Sequence, residues 1–413
     1  MKQDYKLRRS RPSLSLLLLL VILPAQAGPQ ALAADAAPRV MNGIDVLRQQ
    51  DFAPLAGKKV GLITNHTGLA ADGTATIDLL HKSAVCKLVA IFSPEHGIRG
   101  TMDGGVDSST DEATGLPIRS LFGETTRPTA EMLRDIDVLV YDIQDVGARF
   151  YTYSTTLGYC MEAAAKAKIP IYVLDRPNPI SGIRVEGPTL DQDKISFIGY
   201  MPLPVRHGMT LGELAKYFNA ENQIGADLRV VEMTGWRREY LFSETGQLWV
   251  NPSPNMRSLI EAVLYPGVCL LEATNVSVGR GTDRPFEVIG APWIEPRRLS
   301  AALEAARVPG VKFVPVFFTP TTSTHQGVKC GGVQIFVTAL DRLHSVLAGL
   351  TLVSVLRKLY PNEFEIDKVL RLMGNERALK DLKAGRTPSE VLRTGGRELK
   401  AFMQRRRKAL IYR

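Results

Sequence analysis

The sequence has 413 residues, of which 45% are hydrophobic and 23% are charged, and its formal net charge is +9. This composition is that of a folded globular protein and excludes a chain that is disordered throughout, and the length suffices for two domains. The first 27 residues hold five cations and one anion, so the formal charge of the remainder falls to +5.

The N-terminus has the pattern of a secretory signal peptide. Basic residues precede an apolar run at residues 14–23, too short to span a bilayer, and Ala25-Gln26-Ala27 follows as a small-x-small cleavage site. We therefore predict a signal peptide at residues 1–27, a disordered linker at residues 28–39, and a periplasmic or extracellular location. Secretion argues against a nucleic-acid partner, and the lack of a later long apolar stretch predicts no stable membrane anchor.

The first half of the mature chain alternates apolar strands with helices. Buried strands are predicted at residues 59–65, 88–92, 137–142 and 170–175, with helices near residues 44, 77–82 and 155–166. Continuous apolar strands of this kind form parallel sheets that are covered on both faces. The sequence therefore predicts an α/β fold with a Rossmann-like parallel sheet flanked by helices.

The second half is less regular. A helix starts at Thr210, where Glu213 completes a capping box, and strands are predicted at residues 228–233 and 268–274. From about residue 294 a helix, two strands (313–318 and 332–338) and several C-terminal helices predict a smaller α+β domain. We expect a catalytic domain at residues 40–293 and an auxiliary domain at residues 294–413.

Cofactor motifs are lacking. No G-x-G-x-x-G follows the first strand, there is no Walker lysine, and the four cysteines have no metal-binding spacing. We predict no cofactor and no metal, although Asp, Glu and His at strand ends leave a metal-dependent hydrolase or esterase as an alternative.

His207 precedes the helix that starts at Thr210. Its side chain either reaches the cleft or caps this helix.

Polar loops follow all four predicted strands of the first half. Because the carboxyl ends of parallel strands share one edge of a sheet, these loops are expected to form one site rather than four separate capped turns. The candidate residues are Asn65; Glu95 and His96; Asp142, Gln144, Asp145, Arg149, Tyr151 and Tyr153; and Asp175, Arg176 and Asn178.

Paired carboxyl groups beside aromatic side chains suit a sugar-cleaving site. Glu95 follows a buried strand and Pro94, so its partial desolvation would raise its pKa and favour a general acid. Tyr151 and Tyr153 either contact a pyranose ring or belong to the core. Arginines at these loops either bind a ligand carboxylate or pair with a neighbouring Asp.

Five motifs together resemble the exo-β-N-acetylmuramidase family typified by NamZ, long catalogued only as a domain of unknown function. The resemblance covers the chain from about residue 43 to the C-terminus. The motifs are Ser93-Pro94-Glu95-His96-Gly97, residues 142–153, residues 174–179, Pro252-Ser253-Pro254-Asn255-Met256, and Gly279-Arg280-Gly281-Thr282 with Pro285-Phe286.

The resemblance implies a glycoside hydrolase that releases N-acetylmuramic acid from the non-reducing end of peptidoglycan-derived muropeptides. It places the catalytic acid at Glu95, with Asp142 and Asp145 as candidate second carboxylates. It also implies that Asn255 contacts the substrate and that Arg280 binds the lactyl carboxylate. Val278 departs from the glutamate expected before Gly279. The stereochemical course stays open, and a non-catalytic muropeptide-binding protein is the other alternative.

Overall fold

The computed structural model describes residues 40–98 and 107–413. The predicted signal peptide at residues 1–27 and the linker at residues 28–39 lie outside the described residues, and so do residues 99–106. The signal peptide and the linker therefore stay predictions.

Twelve strands and twelve helices are defined in the described part of the chain. The strands are β1 Lys59–Thr64, β2 Lys87–Ser93, β3 Ser109–Thr110, β4 Pro117–Ser120, β5 Val138–Asp142, β6 Ile171–Leu174, β7 Glu186–Thr189, β8 Pro204–Arg206, β9 Leu228–Val231, β10 Val288–Ala291, β11 Val311–Phe318 and β12 Cys330–Val337. The helices are α1 Gly43–Gln49, α2 Thr76–His81, α3 Ala130–Leu133, α4 Tyr153–Ala167, α5 Leu211–Glu221, α6 Leu259–Val268, α7 Pro296–Ala305, α8 Ser345–Leu359, α9 Leu370–Met373, α10 Glu376–Lys383, α11 Pro388–Thr394 and α12 Gly396–Arg406.

The main sheet has seven strands in the order β3-β4-β2-β1-β5-β6-β9. Every neighbouring pair is parallel except β3 with β4. Strand β1 pairs with β2 on one side and with β5 on the other, so the strand order reverses at β1, where ligands bind in open α/β sheets. The predicted α/β class with a Rossmann-like parallel sheet is confirmed.

Both faces of this sheet are covered because successive side chains of each strand point to opposite faces. Val60 and Leu62 pack with Leu80 of α2 in one apolar cluster. Ile63 and Leu157 of α4 belong to the larger cluster on the other side. The continuous apolar runs that predicted the strands are therefore explained by burial on both faces.

The C-terminal part adds a three-stranded antiparallel sheet in the order β10-β12-β11. Helix α8 crosses α6 through a glycine contact: a Cβ at Gly349 would lie 2.2 Å from the Gly267 carbonyl oxygen. The Ser345 hydroxyl donates a 2.6 Å hydrogen bond to the Val263 carbonyl at the same crossing. The absence of side chains at these glycines thus lets the two helices pack closely. The domain boundary expected at residues 293/294 stays a prediction.

One predicted element is wrong. Residues 268–274 were expected to form a strand, but α6 continues to Val268 and a 3-10 turn follows at Cys269–Leu271. A short apolar run cannot be assigned to a strand or to a buried helix by periodicity alone.

The predicted capping box at the start of α5 is confirmed. The Glu213 N–H donates to the Thr210 hydroxyl, and the Thr210 N–H donates to the Glu213 carboxylate.

Two further features concern the described residues as a whole. No helix among them is both long and apolar enough to cross a membrane. All four cysteines are buried and form no disulfide bonds.

Candidate active site

A cavity of about 470 Å³ opens beside the carboxyl ends of the central strands. Its walls come from the loop after β2, the start of α4, the turn after α6, the loop before β10, the β11–β12 loop and α9. A volume of this size is typical of small-molecule sites. A second hollow beside Gln144 and Arg176 has only about 30 Å³ and is too small for a sugar.

Glu95 reaches the cavity on the turn that ends β2. The Thr152 hydroxyl donates a 2.5 Å hydrogen bond to Glu95 Oε2. His96 and Gly97 follow with φ angles of 71° and 74°, a left-handed conformation that is uncommon for a histidine. This turn directs both Glu95 and His96 to the cavity wall, where both side chains are half-buried.

Aromatic rings form one side of the cavity. Tyr151 meets Tyr265 edge to face, with 5.9 Å between ring centroids, and Tyr265 meets Phe286 at 4.8 Å. Phe150 packs edge-on against Tyr265 at 5.3 Å. Edge-to-face contacts of this kind fix the orientation of each ring. The cavity lining therefore includes a rigid apolar wall of packed aromatic rings.

Tyr153 and Asn65 lie immediately behind this wall. Asn65 Nδ2 donates a 2.9 Å hydrogen bond to the Tyr153 hydroxyl, which donates at 2.8 Å to the Pro252 carbonyl. Burial, with a smaller contribution from the Glu95 charge, raises the pKa of Tyr153. The neutral phenol thus fixes the 252–255 loop, which carries Asn255 to the cavity wall.

A carboxylate and a guanidinium form an ion pair in the cavity wall. Arg280 Nη1 lies 2.6 Å from Glu272 Oε1, and the Cys269 thiol donates at 2.9 Å to Glu272 Oε2. Gly281, with a φ of 78°, allows the β11–β12 loop to approach: a Cβ there would lie 2.4 Å from the Thr322 nitrogen. Val278 is buried and lies outside the cavity lining.

The structure places Asp142, Asp175 and Arg176 away from the cavity. Asp142 is fully buried and accepts bonds from Arg176 Nε at 2.6 Å and from the Thr76 hydroxyl at 2.5 Å. Asp175 accepts hydrogen bonds from the Thr210 hydroxyl and the Gly212 N–H at the start of α5. These polar groups satisfy one another and cap a helix, so they do not reach the cavity wall.

Asp145, Gln144 and Asn178 form a second set of buried contacts outside the cavity lining. Asp145 accepts from the Gly147 N–H at 2.7 Å, and burial raises the pKa of Asp145 to about 7. Gln144 Nε2 donates to the Pro177 carbonyl, and Asn178 Nδ2 donates to the Met209 carbonyl. Their hydrogen bonds hold the strand-end loops against one another.

Arg149 is also buried and lies outside the lining. Its Nη1 donates to the carbonyls of Pro188 and Leu203, and its Nη2 donates to those of Leu372 and Met373. His207 is likewise buried, and its Nδ1 accepts from the Met209 N–H at 3.2 Å. Both side chains brace the loops around the site.

The structure thus brings Glu95, His96, Tyr151, Asn255 and Arg280 of the predicted site together in one cavity. Further polar residues that line the same cavity were not among the predicted site residues: Thr152, Ser253, Glu272, Ser323 and Arg371. Thr152 and Ser253 stand within the quoted motifs but were not singled out. Glu272 falls in the segment that was wrongly predicted as a strand, and Ser323 and Arg371 lie in the C-terminal part, where no motif marked them.

Metal binding depends on how the His, Cys, Asp and Glu side chains are grouped. In residues 40–98 and 107–413, no group of three or more His, Cys, Asp or Glu side chains is placed to hold a metal ion. The carboxylate of Glu272 is already paired with a guanidinium. The described side chains offer hydrogen bonds and charges to an organic ligand.

Among the described residues, two carboxylates, two arginines and an aromatic wall line this cavity at the carboxyl edge of a parallel sheet, which defines an α/β protein with a site suited to carbohydrates. Family models identify it further. The N-terminal model of the exo-β-N-acetylmuramidase NamZ matches residues 60–260, and the C-terminal model matches residues 263–412. The chain belongs to this glycoside hydrolase family, as its motifs predict.

Relatives support the assignment along the whole chain. The peptidoglycan β-N-acetylmuramidase NamZ of Bacillus subtilis (strain 168) is 43% identical over 403 residues, which cover 96% of this chain and 97% of that protein. The crystal structure of a DUF1343 family protein from Bacteroides fragilis NCTC 9343 is similar with a TM-score of 0.81 and 36% identity, covering 92% of this chain and 100% of that one. A second such protein from the same strain has a TM-score of 0.73 and 31% identity, covering 91% and 99%.

Proposed function

We propose that this chain is a secreted exo-acting glycosidase that releases N-acetylmuramic acid from the non-reducing end of peptidoglycan fragments, with Glu95 as the general acid. Membership of the exo-β-N-acetylmuramidase family supports the reaction class. The Bacillus subtilis relative, whose name describes a peptidoglycan β-N-acetylmuramidase, supports the substrate class.

The observation that carries the proposal is the position of Glu95 in the cavity. The hydroxyl of Thr152 binds Oε2, so the orientation of the carboxyl group is fixed while Oε1 takes no part in that bond. A fixed carboxylic acid next to a glycosidic oxygen protonates the leaving group. The aromatic wall of Tyr151, Tyr265 and Phe286 then supports the apolar face of the sugar.

Glu272 takes the place of Asp142 and Asp145 as the candidate second carboxylate. It lines the cavity with Glu95, whereas the two aspartates do not. It forms an ion pair with Arg280 at 2.6 Å, and a carboxylate held in this way suits electrostatic stabilisation of an oxocarbenium-like transition state. Proton NMR of the released sugar distinguishes retention from inversion at the anomeric carbon.

The proposed location follows from the N-terminal sequence. The basic segment, the apolar run at residues 14–23 and the Ala25-Gln26-Ala27 site form a secretory signal pattern. Muropeptides are substrates in the periplasmic or extracellular space that this pattern predicts. Export would therefore bring the enzyme to the compartment that contains muropeptides.

The test uses two disaccharides that differ in the order of their sugars. We expect release of free sugar from N-acetylmuramyl-β-1,4-N-acetylglucosamine and none from N-acetylglucosaminyl-β-1,4-N-acetylmuramic acid. Proton NMR at early times reads the anomeric configuration of the released sugar. Failure to cleave the first disaccharide would contradict the proposal.

The same assay separates the alternatives. Tight binding of the first disaccharide without release would support a non-catalytic muropeptide-binding protein. Loss of release after exhaustive chelation, with recovery on adding a divalent cation, would support a metal-dependent hydrolase. Unchanged release after chelation is the outcome we expect.

A further inference from the structure

Of the described residues, Arg280 and Arg371 are the arginines of the cavity wall, and they differ in ion pairing. Arg280 is paired with Glu272 at 2.6 Å. Arg371 also lines the cavity and is exposed, and it makes no ion pair or side-chain hydrogen bond with any residue that the structure describes. Among the residues that the structure describes, the guanidinium of Arg371 is therefore not neutralised by an ion pair, unlike that of Arg280.

The backbone that carries Arg371 is held firmly. Helix α9 ends at Gly374, whose φ of 60° terminates the helix. Arg149 Nη2 donates to the Leu372 and Met373 carbonyls at 2.7 and 2.8 Å. Since Arg149 directly precedes Phe150 and Tyr151, this bond network ties α9 to the aromatic side of the cavity. The backbone of Arg371 is thus fixed, while its guanidinium has no ion-pair partner among the described residues.

An unneutralised guanidinium beside a sugar-sized cavity favours an anionic sugar. N-acetylmuramic acid differs from N-acetylglucosamine by a lactyl ether that bears one carboxylate. A carboxylate approaching Arg280 would also meet the negative charge of Glu272, whereas Arg371 forms no ion pair with a described residue. A guanidinium can bind both carboxylate oxygens, which adds geometric selectivity.

We propose that Arg371 binds the lactyl carboxylate of the substrate and so selects muramyl over glucosaminyl sugars. Arg149 acts as a positioning residue for the helix that carries Arg371. This inference rests on the proposed function, and it assigns to Arg371 the role that the sequence motifs gave to Arg280. Hydrogen bonds to charged groups predict a roughly 10- to 100-fold loss of affinity when Arg371 is replaced by a neutral residue.

The experiment measures binding rather than turnover, in the Glu95→Gln background. Isothermal calorimetry gives the affinities of N-acetylmuramic acid, its lactyl methyl ester and N-acetylglucosamine. We expect Arg371→Gln to weaken binding of the acid about 10- to 100-fold and to leave the ester unchanged. Arg371→Lys should retain part of the acid-over-ester preference. Arg393→Gln is the matched control because Arg393 is exposed on α11, outside the cavity lining.

Three results would overturn the inference. Arg371→Gln could keep the full acid-over-ester preference. Arg280→Gln could remove the preference while Arg371→Gln does not. N-acetylmuramic acid could also fail to bind at all. If instead the unsubstituted protein cleaves no muramyl disaccharide while the Arg371-dependent preference persists, the glycosidase proposal fails and the anion site stands.

Discussion

Asp145 illustrates how burial changes a carboxyl group. Its side chain is fully enclosed, Oδ2 accepts the Gly147 N–H, and Oδ1 has no hydrogen-bond partner among the described residues. His207 Nε2 lies 4.0 Å from Asp145 Oδ2, and burial lowers the pKa of that imidazole to about 3. With a neutral imidazole beside it, Asp145 gains little from ionising.

The pH dependence of stability should report this burial. The pKa of Asp145 rises to about 7 on folding, from about 3.9 in an unfolded chain. Between those values the folded state holds a proton that the unfolded state has lost, so stability falls as pH rises from about 4 to about 7. We expect Asp145→Asn to gain stability relative to the parent between pH 4 and pH 8, by up to roughly 4 kcal/mol.

Urea unfolding at several pH values measures this difference. Asp283→Asn is the control, because the Asp283 carboxylate is fully exposed. A constant difference in unfolding free energy between Asp145→Asn and the parent across this pH range would contradict the assignment. Burial also raises the pKa of Asp175 to about 7. Because Asp175 is present in both the parent and Asp145→Asn, its contribution cancels in the difference between their unfolding free energies.

Part of the candidate active site could be predicted residue by residue from the sequence. Glu95, His96, Asn255 and Arg280 were found because they stand in specific motifs, and the structure brings them to one cavity. Other polar residues at strand ends do not line the cavity, because they form hydrogen bonds or ion pairs with neighbouring loops. Asp142 is an example: its partner Arg176 comes from a different strand end, and no local pattern shows that pairing.

At the scale of elements, α9 depends on Arg149. This buried guanidinium donates to four backbone carbonyls, and two of these belong to α9. Removing it leaves buried acceptors without donors, so we expect Arg149→Met to lower the unfolding free energy by about 3 kcal/mol or more. We also expect a lower kcat/KM on muramyl substrates, because Arg371 loses its fixed support.

Chemical denaturation and steady-state kinetics test this expectation together. Arg393→Met is the matched control, with an exposed arginine in a helix. A change below about 0.5 kcal/mol in Arg149→Met, the range of ordinary surface substitutions, would contradict the bracing role. A stable Arg149→Met protein with unchanged kcat/KM would also show that α9 does not need this support.

Elements were predicted best where one physical signal dominated. The strands β1, β2, β5 and β6 are short, apolar and buried on both faces, and each ends at a polar loop as expected. The prediction of a strand at residues 268–274 is wrong because this apolar run begins at the end of a buried helix. Ser258 and Glu261 form the capping box that starts this helix, ten residues before the misassigned segment.

At the scale of the whole molecule, the cavity draws its groups from both matched family regions. Glu95 and Thr152 lie in the N-terminal region, and Glu272 and Arg371 in the C-terminal region. Arg149 of the N-terminal region links the two regions through its hydrogen bonds to the Leu372 and Met373 carbonyls of α9. Sequence periodicity carries no information on such contacts, so Arg371 was found only from the three-dimensional arrangement.

The most direct test of the account is the dependence of the Glu95→Gln effect on the leaving group. A general acid contributes about 10²- to 10⁴-fold, and it matters most when the leaving oxygen is a poor one. We expect Glu95→Gln to lower kcat/KM by that factor on N-acetylmuramyl-β-1,4-N-acetylglucosamine and by much less on p-nitrophenyl β-N-acetylmuramide. Glu131→Gln, on the exposed side of α3, should leave both rates unchanged. Near-parental cleavage of the disaccharide by a folded Glu95→Gln protein would contradict Glu95 as the acid.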